Sequence, residues 1–371
     1  MKLLIGVDRV NSKHTITSTQ FLFTIICIIQ SSTILNAVIS GVLYNEAWIG
    51  IIIAIIGFIP ILFIYNCYMK KYPDKNYLQI CEDLFGKIIG KVIGFIYILF
   101  FILLTSFNVR DLGYFTQSTM INETPLPVIL LVAIVPCCMG VKNGISTTTR
   151  YSKIFVISSV VIAGTIMFFL LKEADITNLL PVFNLSKKSY FQGAFLVLNV
   201  PFGELVVVLM IHQYLKNENK KARKYLFLGY IIGGFIYLLI TVRDIAVLGE
   251  TFSLFSSPSL VAFQLINIEE IFSRMDILFT VIFTGLLFLK ASLFFYVTIL
   301  SIKTVFNLKE TRHLVYILGI FACFIAINIS ANQVDHIIYS RNSVSILFFF
   351  PQVVFPVIFS VFMLFKRKKV T

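Results

Sequence analysis

Glu204 and Lys290 are the two residues whose type and position carry the most chemistry in this chain. Each is a lone charge within a long apolar run, bounded by Lys188 and Lys216 for the first and by Asp276 and Lys303 for the second. Each therefore lies about 20 Å along a helix from the nearest boundary. A charge at that depth in a bilayer costs about 2.5–3.5 kcal/mol even on the mildest scale, and ionisable groups kept there mark pathways or ligand sites. Two readings stand: an ion pair that locks two helices together, or a shared cavity in which the acid meets an ammonium or a coupling proton.

The surroundings of Glu204 bear on that choice. Asn199 to Met210 reads NVPFGELVVVLM. Pro201 removes a backbone donor and clashes with the preceding turn, so the helix kinks or opens there. Backbone groups freed in hydrocarbon must be met by protein, water or a ligand. The expected ligand contacts on this stretch are Asn199, Pro201, Phe202, Gly203 and Glu204. A polar patch in the first apolar run adds Ser31, Thr33 and Asn36, either as ligand contacts or as small polar packing residues. Tyr97 is expected either to close over a ligand or simply to pack. Arg110-Asp111 and Arg243-Asp244 lie about 28 Å of helix beyond Lys91 and Lys224, and read as solvated interfacial pairs or as an outer gate. The histidines (His14, His212, His313, His336) are expected at or beyond span ends, unclustered. No metal, no cofactor and no catalytic constellation is expected, and neither is an enzyme.

Composition sets the elements that hold these residues. The chain has 371 residues, 58% hydrophobic and 13% charged, with mean hydropathy +0.91; soluble domains carry about 25% charge. Apolar runs of about 20 residues recur along it, the length that spans a bilayer. The net charge of +13 follows the ends of these runs, as the positive-inside rule requires, so a nucleic-acid partner is excluded. The six cysteines lack metal-ligand spacing and read as buried apolar residues. The first run lacks a small-residue cleavage site and should persist as a span.

Ten spans are expected, with both termini cytoplasmic. They run about Ile16 to Val42, Ala47 to Met69, Ile88 to beyond Phe107, Pro127 to Val141, and Tyr151 to Leu171. The second five are about Phe191 to Leu215, Tyr225 to Leu248, Ile277 to Ile302, Leu314 to Ile329, and Ser343 to Phe365. The chain is thus one integral membrane domain, residues 1–371, in two five-helix halves, 16–171 and 191–365, of opposite orientation. The interrupted spans, one and six, open the two halves. Corresponding interruptions in inverted halves point to a binding site at the membrane midplane.

Certain motifs carry a family resemblance: Tyr72-Pro73-Asp74-Lys75-Asn76, Phe85-Gly86-Lys87, Arg110-Asp111, Thr124-Pro125, Leu180-Pro181-Val182, Pro201-Phe202-Gly203-Glu204, Lys221-Ala222-Arg223-Lys224, Ala246-Val247-Leu248-Gly249 and Lys290. On these the chain resembles the spore germinant-receptor B subunit family (GerAB-type), a branch of the amino acid–polyamine–organocation transporter superfamily. The resemblance implies the all-α, LeuT-like fold of ten helices with helices one and six broken. It also implies residence in the spore inner membrane, partnership with an A subunit and a lipoprotein C subunit, and binding of a small germinant, commonly an amino acid. The alternative is a proton-coupled amino-acid symporter with Glu204 as proton carrier. Two departures stand out: span one lacks the glycine pair many relatives have at the break, and Ile268-Glu269-Glu270 replaces a glycine-containing loop.

Overall fold

The structure, a computed structural model, describes residues 15–215, 218–265 and 275–365. The acids Glu269 and Glu270 with Arg274, the basic tails carrying Lys2, Arg9, Lys13 and Lys366 to Lys369, and also His14 and Lys216, lie outside the described residues. Everything described is helix or connection. Among the described residues, eight helical stretches are long and apolar enough to cross a membrane; two shorter apolar ones, Ser18–Ile34 and Leu314–Asn328, occupy the places of spans one and nine. The all-α, membrane-spanning class follows directly from the run lengths and hydropathy.

Span one is α1 (Ser18–Ser31), a 3₁₀ turn (Ser32–Leu35) and α2 (Asn36–Leu43). Thr17 and Gln20 form a reciprocal capping box at its start, which satisfies two orphan donors of the first turn. The carboxylate of Glu218 accepts from the Ser18 N–H at the same end. Span two is α3 (Ala47–Lys71). A short helix, α4 (Tyr77–Phe85), then lies before span three, α5 (Lys87–Thr119). Gly86, with φ +85, makes the corner between α4 and α5, a conformation that a side chain disfavours.

Spans four and five are α6 (Leu126–Asn143) and α7 (Ile145–Leu170), hinged at Gly144 with φ +90. Span six begins as α8 (Lys187–Val197) and resumes later as α9 (Val208–Ile211). Span seven is α10 (Asn219–Leu248), a short α11 (Pro258–Gln264) follows, and span eight is α12 (Met275–Val305). Span nine is α13 (Leu314–Asn328).

Span ten departs most from expectation. It starts at Gln333, about ten residues before the expected Ser343, and runs as α14 (Gln333–Tyr339), α15 (Ser345–Phe349) and α16 (Phe355–Phe365), separated by π turns at Ser340–Val344 and Phe350–Val354. The polar run Ser340 to Ser343 reads as a loop in sequence. It is helical, and half-buried Arg341 donates to the carbonyls of Ala37 and Val38 in α2 of span one, at 3.2 and 3.1 Å.

The bundle is organised around span six. Of its apolar window 83% is buried, against 17% for span five, so six is the central element and five faces outward. α5 packs along α12, α1 along α10 and α7, and α3 along α8 and α10. At the far end from the basic loops, buried Glu46 accepts from the N–H groups of Phe183 and Asn184 at 2.7 and 3.2 Å and from the Tyr190 hydroxyl. One carboxylate thus ties the long 171–187 connection to the turn between spans one and two.

Candidate functional site

Span six breaks where its proline requires. Val200 leaves helical geometry at φ −133, ψ 114, and the Val200–Pro201 bond is cis. The chain re-enters helix as a tight 3₁₀ stretch, Gly203–Val207. Asn199 donates to the Phe195 carbonyl at 2.7 Å, while its own side-chain oxygen has no hydrogen-bond partner among the described residues.

Glu204 leaves the second half of this break towards spans one and eight. Its Oε2 lies 2.7 Å from Lys290 Nζ. Lys290 donates to Ser32 Oγ at 2.6 Å, and Ser32 lies 3.3 Å from the same carboxylate oxygen. All three side chains are buried. Asn108 of span three also faces Glu204. The breaks in spans one and six therefore meet through a closed triangle of acid, amine and hydroxyl. Such a pair is weak evidence for stability, because desolvation offsets its attraction, yet removing one partner strands a buried charge.

Beside the triangle lies a cavity of ≈ 40 Å³, lined by Glu204, Asn108 and Asp111, by Ser340 and Ser345, and otherwise by apolar walls such as Phe107 and Phe348. At about 10–15 Å³ per water-sized site, it holds on the order of three waters. Ligand pockets run to about 300–1,000 Å³. In this conformation the cavity is smaller than that.

The far end of the cavity is latched. Asp111 Oδ1 lies 2.9 Å from His336 Nε2 of span ten, and Phe107 stacks on the same imidazole. Arg110 turns the other way, donating to the carbonyls of Ala326, Ile327 and Ser330 and, at 2.6 Å, to the Tyr114 hydroxyl. These include orphan carbonyls at the C-terminus of α13, where a cation also complements the helix dipole.

Towards the basic face, tyrosines hold span ten. Tyr65 donates to the Gln352 carbonyl at 2.7 Å, Tyr97 to the Pro351 carbonyl at 2.7 Å, and Tyr68 to the Pro356 carbonyl at 2.9 Å. The reason is local. Pro356 has no N–H to offer Gln352 four residues back, and the Phe355 N–H reaches Phe350 instead of Pro351.

The expected site residues divide accordingly. Glu204, Lys290 and the Pro201–Gly203 break come together. Ser31 does not face them: its hydroxyl returns to the Cys27 and Ile28 carbonyls of its own helix, and its neighbour Ser32 takes the inward position. Thr33 bonds back to Gln30. Asn36 accepts from Thr241 at 3.4 Å, away from the triangle. Tyr97 caps span ten and lies outside the cavity lining.

The expectation of solvated arginine–aspartate pairs is overturned. Arg110, Asp111, Arg243 and Asp244 are all buried, because span ten and α11 fold over them. Arg243 and Asp244 pair with each other at 3.0 Å, and Ser259 of α11 donates to the same carboxylate. His212, in the last turn of span six, and His336, in the first turn of span ten, are also buried. Sequence reasoning missed Ser32, Asn108, His336, Arg341 and Gln352. For Ser32 the adjacent Ser31 and Thr33 gave the signal but not the helical phase; for His336 and Arg341 the expected start of the span hid them.

With this geometry in hand, comparison with known proteins is informative. The family described as "Spore germination protein" matches residues 15–334. The chain is 25% identical over 357 residues to spore germination protein KB of Bacillus subtilis (strain 168), covering 95% of each chain. Among solved structures it is similar to a nucleobase-cation-symport-1 family transporter in a closed conformation with bromovinylhydantoin bound, at TM-score 0.66 and 12% identity, covering 91% of this chain and 79% of that one. It is also similar to a Na⁺-coupled sialic acid symporter in a substrate-bound outward-open state, at TM-score 0.64 and 13% identity, covering 92% and 80%. At such identities the likeness is one of fold. The chain is an integral membrane protein that belongs to the spore germination protein family and is built on the fold of these transporters.

Proposed function

We propose that this chain is the B subunit of a spore germinant receptor, and that it senses a small germinant, an amino acid before other classes, in the cavity beside the Ser32–Glu204–Lys290 triangle. The two halves, 16–171 and 191–365, act as inverted units in the spore inner membrane, with both termini on the core side. An A subunit and a lipoprotein C subunit receive the signal. The observation that carries this reading is the meeting of two interrupted spans through a buried acid–amine pair at the wall of a closed cavity.

The cavity size gives the sensing logic. A guest larger than a few waters fits only an expanded state, so its binding free energy necessarily shifts the population towards that state. Lys290 pairs with Glu204 directly, so the acid is met by a group of the chain itself. A thermal-shift screen of amino acids, nucleosides and sugars on the purified protein tests the reading. A shift with at least one amino acid is expected; no shift with any class refutes it.

The fold also supports a second reading, a proton-coupled amino-acid symporter with Glu204 as carrier. Reconstitution without partners separates the two. Uptake driven by a pH gradient establishes transport, and ligand binding without flux establishes sensing.

A further inference from the structure

Gln352 stands in the second π turn of span ten. Ser345 and Phe348 of that span line the cavity, and Gln352 follows Phe348 by one helical turn on the same face. It is thus the next side chain met when the cavity deepens towards the basic face. It also packs against the break in span six: a Cβ built on Gly203 would fall 2.5 Å from Gln352 Oε1 and 3.2 Å from its Cβ. The glycine of Pro201-Phe202-Gly203-Glu204 leaves room for this side chain.

Gln352 is fully buried, and neither its Oε1 nor its Nε2 has a hydrogen-bond partner among the described residues. Its main-chain carbonyl, by contrast, is paired with Tyr65. An amide buried with both ends idle is unfavourable, and the volume it fills would suit methionine or leucine equally well. A group kept polar under those conditions has its partners in another state of the molecule.

We propose that Gln352 is a ligand-contacting residue at the floor of the binding site, idle in the closed state and paired with the germinant's head group once the cavity expands past Phe348. This rests on the sensing site proposed above. An α-amino acid suits an amide with both ends free, because one carbon presents an acceptor carboxylate to Nε2 and a donor ammonium to Oε1. Glu204 and Asp111 hold the walls, and Gln352 adds a neutral contact that satisfies both ends of a zwitterion.

The test uses the full chain in lipid nanodiscs with L-alanine and L-valine as probes, read by calorimetric titration and by melting temperature. Gln352→Met is expected to weaken the probe that wild type binds by tenfold or more, while the ligand-free melting temperature stays level or rises. Gln352→Glu, nearly isosteric but unable to donate to a carboxylate, is expected to weaken it at least as much. Unchanged affinity in both variants overturns the assignment. So does a fall in ligand-free melting temperature with affinity retained, or failure of both variants to fold, since either makes Gln352 a packing residue. If wild type binds neither these probes nor any amino acid, the sensing site itself is refuted and the assignment falls with it.

Discussion

The three tyrosine hydroxyls on span ten give the most exacting test of this architecture. Tyr65→Phe removes one oxygen from a fully buried ring and opens almost no space, so its effect isolates the hydrogen bond to the Gln352 carbonyl, 2.7 Å long. Leaving a buried acceptor unsatisfied costs about 1–3 kcal/mol in water-soluble proteins. Interhelical bonds in membranes measure lower, about 0.6 and at most about 1.7 kcal/mol, because the unfolded state in lipid also finds partners. The Gln352 carbonyl lacks its helical partner because residue 356 is proline, so the upper part of that range applies: about 1–1.5 kcal/mol. The cause can be tested separately from the size. Pro356→Ala restores an N–H four residues beyond Gln352, and in that background Tyr65→Phe should cost well under 1 kcal/mol. Denaturant unfolding of the four proteins in one detergent gives the cycle. A coupling energy of about 1 kcal/mol is expected. Costs that are equal in the two backgrounds would refute the claim that the tyrosine replaces the proline's missing donor.

Other consequences follow from the same coordinates. Glu204→Gln or Lys290→Met alone strands a buried charge and should destabilise by about 3–5 kcal/mol, whereas the double variant should recover much of the loss; unfolding curves of all three decide. Gly203→Ala forces its Cβ to within 2.5 Å of Gln352 Oε1. It should cost about 1–3 kcal/mol through overpacking, and Gln352→Ala in the same chain should relieve it. Glu218, in the connection before span seven, has its carboxyl held below the ordinary 4.5 mainly by its hydrogen bond from Ser18. A depressed carboxyl stabilises above its unfolded pKa and loses that contribution as pH falls through its folded one. The stability difference between wild type and Glu218→Gln should therefore be fully present above pH 4.5 and vanish as the solution is acidified further; a difference independent of pH would exclude the capping role.

What the sequence discloses here depends on whether a residue's partner is set by depth or by rotation. Depth along a helix can be counted from loop charges, and that count places Glu204 and Lys290 at one level; they lie 2.7 Å apart. Pro201 marks the break because the missing donor is a property of the residue itself. Rotation is different. Span one changes phase at the Ser32–Leu35 turn, so the inward hydroxyl is Ser32 and not Ser31, and no periodicity carried from α1 predicts it. Arg110 and Asp111 lie at the depth expected near the far surface, but whether water reaches them depends on where span ten begins. Polar residues such as His336 and Arg341 conceal that start, because in isolation they resemble a loop. In the fold Asp111 receives the first and the carbonyls of Ala37 and Val38 receive the second. The same dependence explains the tyrosines. Tyr97 reads as an aromatic lid or as packing, and it becomes a cap only once the π turn and Pro356 are seen to leave carbonyls free on a helix more than 250 residues away. The two interrupted spans are thus legible as interruptions, whereas the third, span ten, becomes intelligible only through the groups that repair it. That repair divides the helix physically. The part near the basic face, including the π turn where Gln352 sits, is pinned by tyrosine hydroxyls, and the part at the other end is held over the cavity by the His336 and Arg341 contacts.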